Sequence, residues 1–579
     1  MSPPPSAADT ETDTIIVGNG PSAMILSYIL HGHIPVYVAD PPHPDPLLHA
    51  KLQDAPCLLR PDLDALTTHF AASRLSYSTQ ALPVNVLLDA LLLPQGETDD
   101  LGQRTNLEWR FEPDRAVPHL VLGDAPQPGG LWANDPVSVS WDIQTLSYAG
   151  MLSLPGYSFA DHYRKTKGSE LPPFTRPTRR DLAEYLRLYP SEAGIEDAFR
   201  CGAELQGIER TAGGGFYVRS HGIRCKHLVL ATGIFSHAIR PPPLLAPLTT
   251  LSPQHSSCAP VPLLVIGSGF TAADVIISAP RDQPILHVFR WDPDHRPSPL
   301  RSCHQQAYPE YAGIYRLMKR AASAASSSSH HHKTRRLAST PFLDSRRWDE
   351  IYQGLPNAEV EDVQVHNDGQ QATVTFRLQD GTSMSRAVCG LAYGVGRRGS
   401  LQYLDPKLRS EVLNGGSPDN DDPAVVTGKT LRSKVMDDLE VARDVFIIGS
   451  LTGDSLIRFA YGGCVYTASR LIPDTNSSSR SSNGASSSGS STPKRPAGTP
   501  TGGPDAFLNG VDGHGQRLQP RHHHDDERRD IDMTQPLDHR KEVDEYAIEQ
   551  SRNENCSNSS SILPRLSSWW TAILNLLLR

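Results

Sequence analysis

Two stretches of the chain repeat one pattern of apolar and polar positions. In each, a short apolar run leads into a glycine-rich turn, a largely apolar helical segment follows, and a second apolar run comes after it. The first stretch begins at residues 14–17 and the second, about 250 residues later, at residues 261–266. The pattern predicts two strand–helix–strand units, each with its turn at the carboxyl end of a parallel strand.

The first turn reads G-N-G-P-S-A and has the composition of a dinucleotide-binding turn. Gly18 permits the tight turn, Gly20 lets the backbone approach a pyrophosphate, and Ala23 keeps the helix close to the strand. The amino end of the helix offers free N–H groups to phosphates. The second apolar run ends in Asp40, twenty residues past Gly20, where a carboxylate accepts bonds from ribose hydroxyls and opposes a 2′-phosphate. The predicted ligand is FAD or NAD, held by Gly18, Gly20, Pro21, Ser22, Ala23 and Asp40.

The second turn reads G-S-G-F-T-A-A-D, and a basic residue stands where the first unit has its acid. Arg290 follows the second apolar run of this unit and can pair with a 2′-phosphate, which favours NADPH over NADH. A solvated charge at a strand end is the alternative for Arg290. The predicted contacts are Gly267, Gly269, Phe270, Thr271 and Arg290.

Two such units in one chain provide one site for a reductant and one for an electron acceptor. Hydride passes from nicotinamide to flavin only when the two rings stack, so both units must belong to one rigid body. The sequence therefore predicts an α/β flavoprotein oxidoreductase that uses FAD and NADPH.

Four segments carry a resemblance to a known family. They are the G-N-G-P-S-A turn, P-G-G-L-W at 128–132, L-S-Y-A-G-M-L-S-L-P-G-Y at 146–157, and G-D-S-L-I-R-F-A-Y-G-G at 453–463. With these segments, most of residues 13–472 resembles the oxidative stress-induced growth inhibitor family. That family lies within the flavin-containing monooxygenase superfamily, with the lysine and ornithine N-hydroxylases.

The resemblance implies a two-dinucleotide-binding flavoprotein whose NADPH domain is inserted in its FAD domain. It implies oxygenation of a small-molecule substrate by O2 through a flavin hydroperoxide, and a link to stress-responsive growth control. Two rival hypotheses remain: an NAD(P)H oxidase or reductase that oxygenates no substrate, and a non-enzymatic FAD-binding regulator. Hydrolytic activity has no support, because no Ser-His-Asp or paired-carboxylate arrangement can be recognised in the sequence.

The resemblance also extends the set of candidate site residues. Apolar runs at 226–233 and 388–396 resemble the strands where the chain leaves and re-enters the FAD domain, and Thr232 and Gly233 close the first of them. Asp454, after Gly453, corresponds to a carboxylate that binds the ribityl chain or pyrophosphate; a turn carboxylate is the alternative. Gly462 and Gly463 would approach the isoalloxazine edge.

Two aromatic residues are the candidates nearest the chemistry. Trp132 would form a wall beside the flavin, with ordinary core packing as the alternative. His255 would hold or gate the nicotinamide, with a loop histidine as the alternative.

Composition divides the chain into domains. We expect an FAD domain at 13–250 and 388–472 around an NAD(P)H domain at 258–387, which carries a low-complexity insert at 321–335. Residues 473–561, rich in Ser, Gly and Pro, are predicted to be disordered. Residues 562–579 are predicted to form an apolar helix that must bury its face on its own globular part, on a partner protein or on a membrane interface.

Net charge and cysteine content limit which binding partners and which cellular compartment the sequence predicts. The net charge of -9 argues against general affinity for nucleic acid. Eight cysteines form no C-x-x-C pair, so neither a zinc ribbon nor a redox dithiol is expected. The three histidines at 330–332 fit a polar loop better than a metal site. Scattered thiols and an amino end without signal-peptide character predict a cytoplasmic protein.

Overall fold

The structure is a computed structural model that describes residues 10–473. The exceptions are 74, 76, 79, 97–103, 136–138, 252–260, 327–339, 367–368, 414–423 and 437. His255, the predicted disordered segment and the apolar helix at 562–579 lie outside the described residues. Within the described residues, no helix combines the length and the apolar character needed to cross a membrane.

The strands of the described chain follow in sequence order. They are β1 (Thr10–Glu11), β2 (Thr14–Val17), β3 (His33–Tyr37), β4 (Leu107–Phe111), β5 (His119–Gly123), β6 (Phe199–Cys201), β7 (Ile208–Arg210), β8 (Phe216–Val218), β9 (Ile223–Cys225), β10 (His227–Leu230), β11 (His237–Ala238), β12 (Leu263–Ile266), β13 (Ile285–Phe289), β14 (Tyr352–Pro356), β15 (Glu359–Val365), β16 (Ala372–Arg377), β17 (Ser383–Val388), β18 (Leu391–Tyr393), β19 (Arg397–Ser400), β20 (Val425–Val426), β21 (Glu440–Ala442) and β22 (Val445–Ile447).

The α-helices of the described chain are interleaved with these strands. In sequence order they are α1 (Pro21–Leu30), α2 (Pro46–Leu52), α3 (Leu63–Thr67), α4 (Pro83–Leu92), α5 (Ala149–Leu152), α6 (Phe159–Lys167), α7 (Arg179–Glu192), α8 (Phe270–Ser278), α9 (Pro309–Ser326), α10 (Pro341–Asp344), α11 (Trp348–Ile351), α12 (Pro406–Leu413) and α13 (Ala460–Leu471). Helix α9 continues into the predicted low-complexity insert, whose later residues are not described.

The first sheet carries the G-N-G-P-S-A turn. Its strand order is β21-β22-β10-β2-β5-β6, and all its strands run parallel except β21. Strand β2 lies between β10 and β5 and is buried along its whole length. A buried, largely apolar strand is what a parallel sheet requires when both of its faces are covered. Helices α1 and α13 contribute to the same core.

The strand predicted to follow α1 exists, but it does not join the first sheet. Strand β3 pairs antiparallel with β4, with His33 opposite Phe111 and Tyr37 opposite Leu107. The place beside β2 is taken instead by β5, which comes after β4 in the chain. The first unit is therefore interrupted by an insertion between α1 and β5, and the prediction that the run before Asp40 lies beside β2 was wrong.

The second sheet has the order β14-β13-β12-β18, and all of its strands are parallel. Strands β12 and β13, joined by α8, form the strand–helix–strand unit as predicted. The antiparallel strands β15-β16-β17 contribute to the core on one face of this sheet, and α9 packs with α8 in the core on the other.

The second sheet is inserted into the first. Strands β10 and β22 are neighbours in the first sheet, yet the whole second sheet lies between them in sequence. This topology confirms the predicted α/β fold with two dinucleotide-binding units, one inserted in the other. The predicted boundary at residue 388 shifts towards the carboxyl end, because β18 pairs with β12 and so belongs to the second sheet.

Candidate functional site

One cleft of about 1560 Å³ receives both glycine-rich turns. From the first turn it is lined by Gly18, Gly20, Pro21 and Ser22, and from the second by Gly267, Gly269, Phe270 and Thr271. Both turns lie at the carboxyl ends of central parallel strands, which is where open α/β sheets bind ligands. The cleft exceeds the ~300–1,000 Å³ typical of a site for one small ligand.

The first glycine of each turn occupies backbone space that a side chain cannot enter. Gly18 has φ +112, and a Cβ there would stand 2.6 Å from the carbonyl oxygen of Ala231. Gly267 has φ +145, and its Cβ would stand 2.4 Å from the carbonyl oxygen of Gly394. In both units the turn is thus pressed against the end of a neighbouring parallel strand, β10 or β18.

The second glycine of each turn faces open space. A Cβ on Gly20 would meet no atom within 4 Å, and one on Gly269 would meet only Pro299, at 3.9 Å. Both glycines precede a helix in extended conformation, and in the described chain neither helix start is capped by a side chain. The first N–H groups of α1 and α8 are therefore available to an anion.

The third small position of each turn lies between the helix and the strand, where it is buried. Ala23 is completely buried, as are Ala272 and Ala273 to within 1%. These alanines pack their helices closely against the strands, and Ala23 is not among the described residues that line the cleft.

A short segment after β5 forms the wall beside the first turn. The backbone N–H of Gly129 donates to the carbonyl oxygen of Asn19 at 2.9 Å. The Asn19 side chain in turn donates to the carbonyl oxygens of Ala125 and Gln127. Trp132 ends this segment, lines the cleft and is half-buried against the first core. The structure thus places Trp132 on the cleft wall, where it also packs.

The acidic residue expected at the ribose differs from the one that reaches the cleft. Asp40 is exposed, follows a strand that is absent from the first sheet, and is not among the described lining residues. Asp124 directly follows β5, the strand beside β2, and its exposed side chain lines the cleft. The prediction for Asp40 is corrected: Asp124, and not Asp40, follows the strand beside β2 and lines the cleft.

Thr232 and Gly233 lie at the end of β10 and line the cleft, as expected. The hydroxyl of Thr232 is 3.1 Å from the hydroxyl of Tyr403. Gly233 has φ +67, and a Cβ there would stand 2.9 Å from the Ser450 hydroxyl.

The carboxylate of Asp454 is engaged by protein donors. One oxygen accepts from the backbone N–H of Leu82 at 2.9 Å and from the Asn85 amide at 2.6 Å. The other accepts from the Arg432 guanidinium at 2.8 Å. Burial raises the pKa of Asp454, and Arg432 opposes that rise. Asp454 also lines the cleft, so its predicted contact with the dinucleotide stays a prediction, while the same carboxylate joins α4 to the turn after β22. Gly453 shapes that turn with φ +94 and is not among the described lining residues.

Gly462 and Gly463 serve helix packing. A Cβ on Gly462 would stand 2.2 Å from the carbonyl oxygen of Val84, because α13 crosses α4 there. The N–H of Gly463 donates to the Asn85 side chain at 2.8 Å. Both glycines are buried and neither is among the described lining residues, so their predicted approach to the flavin edge is corrected.

Arg290 follows β13, is exposed and lines the cleft. Strand β13 is the neighbour of β12, so Arg290 holds in the second unit the place that Asp124 holds in the first. The two strand ends therefore carry opposite charges.

A polar cluster on the cleft wall was missed by the sequence analysis. Arg397 forms an ion pair with Asp135, and Arg179 lies 3.7 Å from the same carboxylate. Nearby, the Tyr311 hydroxyl donates to Asp274 at 2.8 Å. All five side chains line the cleft. Only Asp274 carried a sequence signal, as a polar residue in the apolar helix that follows the second turn.

The fold and the cleft define the class: a two-dinucleotide-binding α/β protein with one unit inserted in the other. A scan of family models produced no match. The chain is 29% identical over 501 residues to oxidative stress-induced growth inhibitor 1 of Mus musculus, a match that covers 79% of this chain and 94% of the relative. It is 28% identical over 370 residues to oxidative stress-induced growth inhibitor 2 of Homo sapiens, covering 52% and 68%. The resemblance to this family, predicted from four sequence segments, is confirmed.

Solved structures show a weaker likeness to this chain. A flavin-containing monooxygenase from Stenotrophomonas maltophilia is 13% identical with a TM-score of 0.43, covering 80% of this chain and 98% of its own. The bacillithiol disulfide reductase Bdr from Staphylococcus aureus is 12% identical with a TM-score of 0.42, covering 79% and 98%. At these values the likeness adds nothing to the strand order and cleft described above.

Proposed function

We propose that the chain is an FAD- and NADPH-dependent oxidoreductase of the flavin monooxygenase type. One observation carries the proposal: two uncapped helix starts, each preceded by a glycine with open space around it, lead into a single cleft. One site alone would fit a nucleotide-binding protein. Two in one cleft provide for a donor and an acceptor of electrons whose reacting rings must meet.

The residues at the first turn suit FAD. Gly20 leaves room for the pyrophosphate, and the N–H groups that begin α1 favour its negative charge. Asp124 is placed to accept hydrogen bonds from the adenosine ribose. Trp132 supplies an apolar wall for the flavin end. When bound, FAD supplies the electron transfer and the activation of O2 that no side chain can provide.

The residues at the second turn suit NADPH. Gly269 and the start of α8 repeat the cradle of the first turn. Arg290 can pair with the 2′-phosphate by charge-assisted hydrogen bonds. Oxygenation of a small-molecule substrate is favoured over a simple oxidase by the family resemblance and by apolar lining residues that limit water, among them Leu131, Val139 and Leu456.

The test is an absorbance titration of the purified full-length protein with NADPH. We expect flavin absorbance that bleaches on titration. Arg290→Glu should weaken NADPH binding at least about tenfold, because it replaces a charge-assisted bond with repulsion. NADH binding should change far less. Arg296→Glu is the matched control, since Arg296 is exposed nearby and is not among the described lining residues.

Two outcomes would contradict the proposal. A protein that takes up no flavin on reconstitution would be a regulator without redox activity. A protein that consumes NADPH and releases an equal amount of peroxide with every small molecule offered would be an oxidase.

A further inference from the structure

The polar cluster on the cleft wall joins residues from distant parts of the chain. Asp274 lies on α8 and Tyr311 on α9, both in the second unit. Asp135 follows the wall segment of the first unit, Arg179 begins α7, and Arg397 begins β19. Because these elements meet at the cleft, the cluster borders the space between the two glycine-rich turns.

Asp274 has an oxygen that the protein leaves available. Its Oδ1 atom accepts from the Tyr311 hydroxyl at 2.8 Å, and within the described chain no other residue donates to this carboxylate. The side chain is half-buried, and the surface it keeps is part of the cleft. Asp274 is the fifth residue of α8, so it lies about 6 Å along the axis from the helix start.

The surroundings of Asp274 act on the pKa of its carboxyl group in opposite directions. Burial and the neighbouring Asp135 raise the pKa of Asp274 to about 6, whereas Tyr311 lowers it. Arg179 and Arg397 also favour the ionised form. Two further charged groups, Arg176 and Glu310, form an ion pair beside Tyr311. The carboxylate is therefore ionised above about pH 6 and neutral below it.

We propose that Asp274 is a specificity residue that accepts a hydrogen bond from the nicotinamide riboside half of the reductant. A dinucleotide whose pyrophosphate rested on the start of α8 would have its nicotinamide half in the cleft, which Asp274 lines. Two donors in that half could reach the free carboxylate oxygen: the carboxamide N–H and a ribose hydroxyl. This inference rests on the proposed function, because it assumes that a dinucleotide binds at the second turn.

The sign of the pH dependence follows from the acceptor role. The ligand donates to the ionised form, so binding is supported above pH 6 and weakens as the pH falls through that value. A group with a pKa of about 6 is about one-quarter ionised at pH 5.5. We therefore expect the affinity of the wild-type protein to fall about fourfold between pH 7.5 and 5.5, beyond any titration of the ligand itself.

The experiment measures dissociation constants by calorimetry with full-length, FAD-loaded protein. The probe is tetrahydro-NADPH, a non-reducing analogue that keeps the carboxamide. Asp274→Asn should bind it about tenfold more weakly at pH 7.5, because a bond to a charged acceptor is lost. Its profile should lack the component at pH 6. The ligand phosphate titrates in the same range but equally for every variant, so ratios between proteins isolate Asp274.

Tyr311→Phe is the second variant and keeps the test decisive if Asp274→Asn fails to fold. Removing the hydroxyl removes a bond that favours the ionised carboxylate, so the midpoint of the pH profile should move upward. A purely structural role for Asp274 would not predict that shift. FAD content serves as the control for folding in both variants.

A second ligand, 2′-phospho-ADP-ribose, identifies the donor. It lacks the nicotinamide ring, so equal binding by wild type and Asp274→Asn would assign the contact to the carboxamide. Weaker binding by the variant would assign it to the ribose. If wild type binds tetrahydro-NADPH and both variants keep its pH profile, this inference is wrong and the proposed function stands. If wild type binds no dinucleotide at any pH, both are wrong.

Discussion

The two nucleotide units have the same kind of glycine-rich turn. They differ in which strand lies beside the strand that carries the turn. In the second unit, α8 leads directly to β13, the strand beside β12. In the first unit, α1 leads to β3, which pairs with β4, and β5 takes the place beside β2. The turn is specified locally by glycines, whereas the neighbouring strand is chosen by the whole sheet. When an insertion intervenes, the distance of an acidic residue along the chain therefore does not identify which acid reaches the cleft.

The largest expected effect is the loss of one cofactor when the first glycine of one turn is replaced. Gly18→Ala places a Cβ 2.6 Å from a backbone oxygen at φ +112, which costs about 1–3 kcal/mol locally. We expect FAD content to fall about tenfold or more. Gly267→Ala creates the same conflict in the second turn, so it should keep FAD and lose reduction by NADPH.

Flavin absorbance per protein and the NADPH titration measure these two losses. Gly168→Ala is the matched control: its φ is +70, but a Cβ there meets no atom within 4 Å. It should cost only about 1 kcal/mol of stability and leave both ligands bound. Loss of FAD from the Gly267 variant would show that the two turns are not separable.

A smaller effect distinguishes helix packing from cofactor contact. Gly462→Ala forces a Cβ against the backbone of Val84 and should lower the free energy of unfolding by about 1–3 kcal/mol. Gly463→Ala meets only side-chain atoms, the nearest at 3.6 Å, and gains helix propensity, so it should be neutral or stabilising. Denaturant unfolding measures both. A Gly463 variant that is stable but has lost FAD would restore the original assignment to the flavin edge.

The smallest effect tests the choice between two acids. Asp124→Asn should weaken FAD binding about tenfold, the cost of one bond to a charged acceptor. Asp40→Asn is the control and should leave FAD affinity unchanged, because Asp40 is exposed away from the described lining of the cleft. Dissociation constants from flavin fluorescence decide the point. The reverse order of effects would mean that chain distance, not sheet position, selects the ribose ligand.

Site residues were predictable where the signal was local. The two turns, Thr232, Gly233 and Arg290 all line the cleft, because short motifs at strand ends carry their own backbone geometry. Asp454, also assigned to the cofactor, lines the cleft and contacts α4 as well. Gly462 and Gly463 had the same assignment but pack against α4 away from the described lining. Their segment resembles a flavoprotein motif, yet nothing in it indicates which neighbouring helix will occupy the adjacent space.

The sequence by itself determined the two glycine-rich turns, the apolar parallel strands that carry them, and the basic residue Arg290 at the end of β13. Each of these depends on backbone conformation and burial within about twenty residues. Only the tertiary structure decided that β5 stands beside β2, that Asp124 replaces Asp40, and that Asp274 and Tyr311 meet Asp135 at the cleft. Such contacts join residues far apart in the chain, and they form only when whole sheets and helices pack to bury their apolar faces.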